Sequence, residues 1–201
     1  MKTKHIPSLL LALVVVLSMG SANAMMLSIQ PSTQNVEVSD IFTVDFMVSD
    51  FKPDTIAAFD LFLSYDSSIL NAVSFDFGGS LGDPFFFETC QDADLGTPGL
   101  VNTAELSLLF DFELDILQAD MFSLGTLTFA AIGEGISALN WELDPFGFID
   151  IKDGFGDLLN VTANNGSVTV GDISIGLPEP GTFGLLLIGL MGTFCSKRRA
   201  V

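Results

Sequence analysis

The stretch AFDLFLSYDSSIL, residues 58–70, decides the fold class. In its first eight residues, four apolar side chains alternate with others, which indicates a β-strand with one buried face because successive side chains point to opposite faces. Asp66 then starts a predicted single turn, in which its carboxylate bonds to the following backbone amides. The alternating apolar residues are Phe59, Leu61, Leu63 and Tyr65.

The same alternation recurs on both sides of this stretch. Several half-buried strands separated by Gly, Pro, Asn and Asp predict an all-β sandwich. The further alternating segments are residues 42–48, 75–77, 127–131 and 168–170. The turn signals are residues 52–54, 78–79, 82–84, 97–99, 133–135, 144–145 and 164–166.

Residues 1–24 have the organisation of a secretory signal peptide. A positively charged start precedes an apolar run at residues 9–17, and the pair Ala22 and Ala24 forms the small-x-small pattern that signal peptidase accepts. We therefore expect export across the inner membrane and a mature chain that begins at Met25. The alternative is an uncleaved N-terminal anchor.

The C-terminal end combines three features in a fixed order. A Pro-Glu-Pro motif is followed by the uncharged apolar segment 182–196 and then by a basic cluster. As a helix, that segment is about 22 Å long, which predicts a short transmembrane helix whose basic end stays in the cytoplasm. An ordinary C-terminal anchor is the alternative. The motif is Pro178, Glu179 and Pro180, and the cluster is Lys197, Arg198 and Arg199.

This order resembles a PEP-CTERM sorting signal over residues 177–201. The resemblance implies an exosortase partner, which recognises the Pro-Glu-Pro motif, and a Gram-negative host that makes exopolysaccharide. It also implies a location in the cell envelope, at the surface or outside the cell, with a transient or lasting membrane anchor. The expected organisation is a signal peptide at 1–24, a β-sandwich at 25–172 and the sorting signal at 173–201.

The charge of the chain excludes several functional classes. Its 201 residues carry a formal net charge of −18, and the only basic residues between the two ends are Lys52 and Lys152. So acidic a body predicts that nucleic acid is not a partner, because phosphate binding requires Lys and Arg. One His and two Cys leave little for a zinc site or a catalytic triad. Solubility explains the acidity more simply than dedicated cation binding does.

Four segments resemble a cohesin domain: residues 38–45, 58–70, 124–129 and 165–170. The Tyr-Asp-x-Ser-x-Leu core that begins at Tyr65 is the most specific part. The resemblance implies a nine-stranded jelly-roll sandwich similar to carbohydrate-binding modules. In cellulosomes such domains bind dockerins, and the calcium of those complexes belongs to the dockerin.

Two segments depart from the cohesin pattern. Residues 81–101 are irregular and rich in Phe, and residues 111–120 are acidic where the pattern has a strand. We expect Phe85, Phe86 and Phe87 to pack on the sandwich edge. An exposed aromatic patch is the alternative.

Calcium is the one cofactor for which the sequence offers a candidate site. Asp150, Asp153 and Asp157 lie among glycines, and oxygen-rich loops of this kind can hold calcium. The spacing does not fit an EF-hand, and acids are so frequent here that such clusters also arise by chance. Asp92 with Asp94 is a second, looser candidate.

Cys90 and Cys195 are expected to lie far apart, so no intrachain disulfide is predicted, and Cys90 is expected to be a buried, unreactive thiol. The only Trp and Tyr of the body, Trp141 and Tyr65, leave few rings for a sugar-binding platform.

No pattern singles out a catalytic carboxylate pair among so many acids, so the chain is predicted not to be an enzyme. The leading interpretation is a non-catalytic module that binds a dockerin-like protein or a polysaccharide. A purely structural matrix or biofilm protein is the alternative, and a polysaccharide-processing enzyme is the least favoured.

Overall fold

The computed structural model describes residues 24–171, which form two β-sheets packed face to face. All five alternating segments lie within strands, so the predicted β-sandwich is confirmed. Residues 24–171 form twelve strands, whereas the resemblance to cohesins implied nine. They are β1 (Met25–Gln30), β2 (Thr33–Val36), β3 (Ile41–Ser49), β4 (Ala58–Ser64), β5 (Leu70–Phe77), β6 (Thr89–Asp94), β7 (Leu100–Ser107), β8 (Met121–Ala131), β9 (Gly135–Glu142), β10 (Asp150–Lys152), β11 (Val161–Asn164) and β12 (Gly166–Val170).

The two sheets differ in size and order. The smaller sheet has the order β11-β1-β3-β8-β5, and the larger has the order β2-β12-β9-β4-β7-β6, with β10 paired to β4. Neighbours are antiparallel except β1 with β11 and β12 with β2, which run parallel. Strands β10 and β9 share one edge of β4. Short β10 pairs with residues 58–60 of β4, and β9 pairs with residues 62–64.

The core lies between the sheets and follows the alternation in the sequence. Phe59, Leu61 and Leu63 of β4 are buried, and the Phe46 ring meets the Trp141 ring edge-on, with centroids 4.7 Å apart. Each such side chain stabilises the fold by roughly 1.5–3 kcal/mol relative to an exposed one. Loop residues such as Phe51, Ile56 and Leu81 complete this core.

The turn after β4 forms as predicted. The backbone amide of Leu70 donates to the carbonyl of Asp66 at 2.9 Å, and the Asp66 carboxylate accepts from the Ser68 amide at 2.9 Å and from the Ser68 hydroxyl at 2.6 Å. These two bonds lower the pKa of Asp66. Tyr65 is buried, and its ring meets the Phe129 ring edge-on at 5.2 Å. The role of this motif in the described domain is thus structural.

A helix replaces the strand expected at residues 111–120. Helix α1 (Asp111–Leu117) has acidic residues in its first turn, where the helix dipole favours negative charge. Glu113 accepts a hydrogen bond from the Phe110 amide at 2.9 Å. The buried Gln118 side chain then ties the helix end to the Ile56 backbone, accepting at 2.9 Å and donating at 2.6 Å. These bonds join residues far apart in the sequence and hold a helix where the cohesin pattern has a strand.

Both predicted targeting segments fall largely outside the described residues. Ala24 is the first described residue, and β1 begins directly after it. Within residues 24–171, no helix is long and apolar enough to cross a membrane. The following predicted features lie outside the described residues: Ala22, the motif 178–180, the apolar segment 182–196, the basic cluster 197–199 and Cys195.

Candidate binding surfaces

The outer face of the larger sheet contains a depression of about 310 Å³ where β10, β4, β7 and β6 lie side by side. The register pairs Ala58 with Leu106 and Asp60 with Ala104, so two small side chains alternate with larger neighbours. The result is a partly apolar floor with acidic residues at its rim. The lining residues are Ala58, Phe59, Asp60, Cys90, Gln91, Asp92, Ala104, Glu105, Leu106, Asp150 and Lys152.

Most polar groups at this rim already have partners. The Lys152 ammonium lies 2.8 Å from Asp150 Oδ2, and the Asn102 amide donates to Asp60 Oδ1 at 2.6 Å. Asp150 Oδ1 is buried without a hydrogen-bond partner. An unpaired buried oxygen of this kind costs stability. With most polar groups already paired, the depression is suited to an apolar side chain.

Cys90 lies in this depression and is exposed, so the expectation of a buried thiol is wrong. Strand β6 is at the edge of the sheet. Its residues Thr89, which is buried, and Gln91, which is half-buried, point toward the interior. Alternation then places Cys90, like Asp92 and Asp94, on the outer side.

The predicted calcium triad is not assembled. Asp150 is paired with Lys152, while Asp153 Oδ1 accepts the backbone amides of Phe155 at 2.9 Å and Asp157 at 2.8 Å, which closes a turn. Among residues 24–171, no group of three or more His, Cys, Asp or Glu side chains is placed to hold a metal ion. Asp92 and Asp94 lie on the outer side of β6 and belong to no such group of three.

A second surface lies at one end of the sandwich and is aromatic. Phe85, Phe86 and Phe87 are 80%, 66% and 84% exposed, so the expectation that they pack on the sandwich edge is wrong. They occupy a short 3₁₀ helix (Pro84–Phe86) and the residue after it, and Asp83 caps this turn by accepting the Phe85 amide at 2.8 Å. The turn is held by its own backbone and needs no packing of the rings.

Two neighbouring loops add three more exposed rings. Phe110 and Phe112 at the start of α1 stack with centroids 5.9 Å apart. The loop that carries Phe155 packs against the same place, since a Cβ on Gly154 would lie 2.3 Å from the Asp111 carboxylate. We call this surface the aromatic end. It comprises Phe85, Phe86, Phe87, Phe110, Phe112 and Phe155, which are 65% to 84% exposed.

Comparison with solved structures identifies the fold. No family model matches the chain, and no curated protein matches it. The seventh ScaB type I cohesin from Pseudobacteroides cellulosolvens superposes with a TM-score of 0.59 at 16% identity, covering 76% of this chain and 96% of that one. The domain has the cohesin fold.

Two further structures share this cohesin fold. A type I cohesin–dockerin complex from Clostridium thermocellum matches with a TM-score of 0.58 at 15% identity, covering 74% of this chain and 99% of that one. A non-cellulosomal cohesin from the archaeon Archaeoglobus fulgidus matches with a TM-score of 0.55 at 14% identity, covering 77% and 96%.

One buried acid of this cohesin-fold domain escaped the sequence analysis. Glu105 on β7 points inward, where its Oε1 accepts from the Thr89 hydroxyl at 2.9 Å and from the Gln91 amide at 2.8 Å. Burial raises the pKa of Glu105, and these two bonds oppose that shift. Its Oε2 has no partner. No sequence signal marks it, because alternation with Ala104 and Leu106 suggests that the acid points outward.

Proposed function

We propose that this chain is an exported, non-catalytic protein-binding module that is sorted to the cell envelope. One observation carries the binding role: its domain matches, over 99% of that chain, a cohesin that was solved in complex with a dockerin. A dockerin-like protein is therefore the partner class we propose. The depression on the larger sheet is the surface we assign to it, because its floor is partly apolar and can pack against a side chain of the partner.

A polysaccharide partner has less support from the domain. Trp141 and Tyr65, the amphipathic rings best suited to stack on sugars, are both buried in the core. The exposed rings are phenylalanines, which have no polar group to hydrogen-bond a sugar hydroxyl.

The sorting part of the proposal rests on the sequence of the C-terminal segment. Pro178, Glu179 and Pro180, followed by an apolar segment and three basic residues, provide the recognition motif, the membrane segment and the orientation signal in the required order. Replacing Glu179 with Ala and following the protein through host cell fractions tests this step. We expect the variant to accumulate in the inner membrane, whereas unchanged distribution would contradict sorting through this motif.

A pull-down with residues 25–176 tests the binding role. The bait is exposed to the secreted proteins and polysaccharides of the host, once with calcium and once with a chelator. We expect one protein to be retained with calcium only, since a dockerin-like partner would supply its own calcium sites. Retained polysaccharide would change the partner class, and no retention at micromolar bait would favour the purely structural matrix protein.

Paired variants locate the binding surface. Leu106→Glu places a charge in the depression, and Val73→Glu places the same charge on the outer face of the smaller sheet. The two side chains are equally exposed, at 50% and 51%, so both changes should leave the fold intact. Loss of retention with Leu106→Glu alone supports the depression. Equal retention by both variants places the partner elsewhere.

A further inference from the structure

Strand registers place the aromatic end and the C-terminal exit at opposite ends of the sandwich. The Met25 amide donates to the Asn160 carbonyl at 2.9 Å, and Met26 pairs with Ser49, where the chain enters the loop that carries Lys52. Lys52 bonds Asp115 of α1, so β1 begins at the aromatic end.

The far end is defined by the last strand. Val170 pairs with Gly135, and Gly133, two residues earlier, lies against the Ser68 carbonyl beyond the end of β4. Strand β4 begins at the aromatic end, because the Ser107 amide, just ahead of the α1 loop, donates to the Ala57 carbonyl. Residue 171 therefore leaves the domain at the end opposite the aromatic one.

Six exposed phenylalanines on adjoining loops require an explanation that scattered surface residues do not. The Leu108 amide donates to the Glu88 carbonyl at 2.7 Å, which joins the turn of Phe85–Phe87 to the loop before α1. The α1 start is in turn packed against the Phe155 loop at Gly154. Exposed apolar side chains that cluster on adjoining loops are a feature of interaction sites.

The charge around the rings selects the chemistry of the occupant. Each ring group is flanked by carboxylates, and the nearby lysines are already neutralised, Lys52 by Asp115 at 2.7 Å and Lys152 by Asp150 at 2.8 Å. The surface is therefore apolar within a negative field. Apart from Asp115, which is paired with Lys52, the flanking acids are Asp83, Glu88, Asp111, Glu113, Asp153 and Asp157.

From these observations we propose that the aromatic end is a second docking surface, separate from the sheet depression, and that it binds a protein segment with apolar side chains flanked by Lys and Arg. The rings supply the buried area, and the carboxylates supply attraction and orientation. An anionic lipid surface meets repulsion from the same acids, as does a second copy of this domain. Residue 171, where the chain continues toward the predicted membrane segment, lies at the end opposite the aromatic one.

Two labelled peptides of 18 residues test the proposal. Each is titrated with the full chain, purified in the form that its host produces, and binding is measured by fluorescence anisotropy. Both are amphipathic helices with the same Leu and Phe face, flanked by Lys and Arg in one and by Glu in the other. We expect micromolar binding of the basic peptide and at least tenfold weaker binding of the acidic one.

Matched triple variants separate the aromatic end from general charge attraction. Phe85→Ser, Phe112→Ser and Phe155→Ser together remove one ring from each loop, while Ile41→Ser, Val73→Ser and Ile136→Ser remove exposed apolar groups elsewhere. We expect the first variant to weaken binding of the basic peptide at least tenfold and the second to leave it unchanged. Circular dichroism melts confirm that both variants remain folded, and Leu106→Glu should also leave this binding unchanged.

Three results would overturn the proposal. The first is equal binding of the basic peptide to both triple variants. The second is sedimentation with phosphatidylcholine vesicles that depends on the three phenylalanines, which would make the occupant a lipid surface. The third is self-association in sedimentation velocity that depends on them, which would make the occupant a second copy.

Discussion

Glu105 is the one acid among the buried residues of the described domain, and its burial raises its pKa. The folded domain therefore keeps this proton to higher pH than the unfolded chain does. The contribution of protonated Glu105 to the free energy of unfolding is fully present below the ordinary pKa of a glutamic acid. It is lost as pH rises through the raised pKa of the folded domain. Glu105→Gln cannot ionise, so we expect its melting temperature to fall less than that of the wild type between pH 4 and pH 7.

Thermal melts at half-unit pH intervals measure this difference, and Glu134→Gln, at an exposed position, is the matched control. The control should follow the wild-type pH dependence. A Glu105→Gln curve that runs parallel to the wild type over this range would show that Glu105 does not titrate differently in the two states.

Sequence reasoning succeeded or failed at single residues for identifiable reasons. The Asp66 turn is closed by bonds to Ser68, Ile69 and Leu70, all within four residues, so the sequence was sufficient to predict it. Glu105 depends on Thr89 and Gln91 of a neighbouring strand, which a single strand cannot reveal. The exposure of Phe85–Phe87 was missed because large apolar residues are usually buried.

At the scale of elements, Gly125 makes a close approach between strands β8 and β5 possible. A Cβ at this position would lie 2.3 Å from the Phe75 ring and 2.8 Å from the Asp76 carbonyl. Phe75 also packs on Phe46, with ring centroids 5.2 Å apart, so it cannot move freely. We expect Gly125→Ala to lower the free energy of unfolding by about 1–3 kcal/mol through overpacking.

Urea denaturation measures this loss, and Gly79→Ala serves as the control. Nothing lies within 4 Å of a Cβ at Gly79, so its substitution should change the free energy of unfolding by no more than about 0.5 kcal/mol. Similar effects of the two substitutions would mean that the β5–β8 contact relaxes without cost.

Elements were predictable where one face of a strand is apolar throughout. Strands β3 and β4 alternate throughout, and β8 alternates over residues 127–131, so these parts were found from the sequence. In strand β7 the polar residues Thr103, Glu105 and Ser107 point inward. The alternation of polar and apolar residues therefore predicts the wrong buried face for this strand. Helix α1 has only seven residues and depends on the bonds of Gln118 to Ile56, which no local pattern encodes.

On the scale of the whole molecule, the domain presents two different surfaces. The depression lies on the face of the larger sheet, whereas the aromatic end lies across the loops at one end. Residue 171, where the chain continues beyond the domain, lies at the end opposite the aromatic one. Because the two surfaces are built from different residues, we expect a partner on the sheet face to leave the aromatic end accessible to another.

The negative charge of the domain predicts how salt affects its stability. All but one of the 25 acidic residues lie between the two targeting segments, against two lysines. Their mutual repulsion opposes the compact state, and raising ionic strength from 0.01 M to 0.1 M shortens its range from about 30 Å to about 10 Å. We therefore expect the melting temperature to rise with NaCl.

The same experiment decides between general screening and a calcium site. CaCl₂ and MgCl₂ at equal ionic strength should raise the melting temperature equally, because no group of carboxylates in residues 24–171 is placed to hold a metal ion. A larger rise with calcium that disappears in Asp153→Asn would contradict this, since it would require the turn at Asp153 to open around the ion. In that case, the calcium in a pull-down would act on this domain as well as on its partner, so the two measurements are best made together.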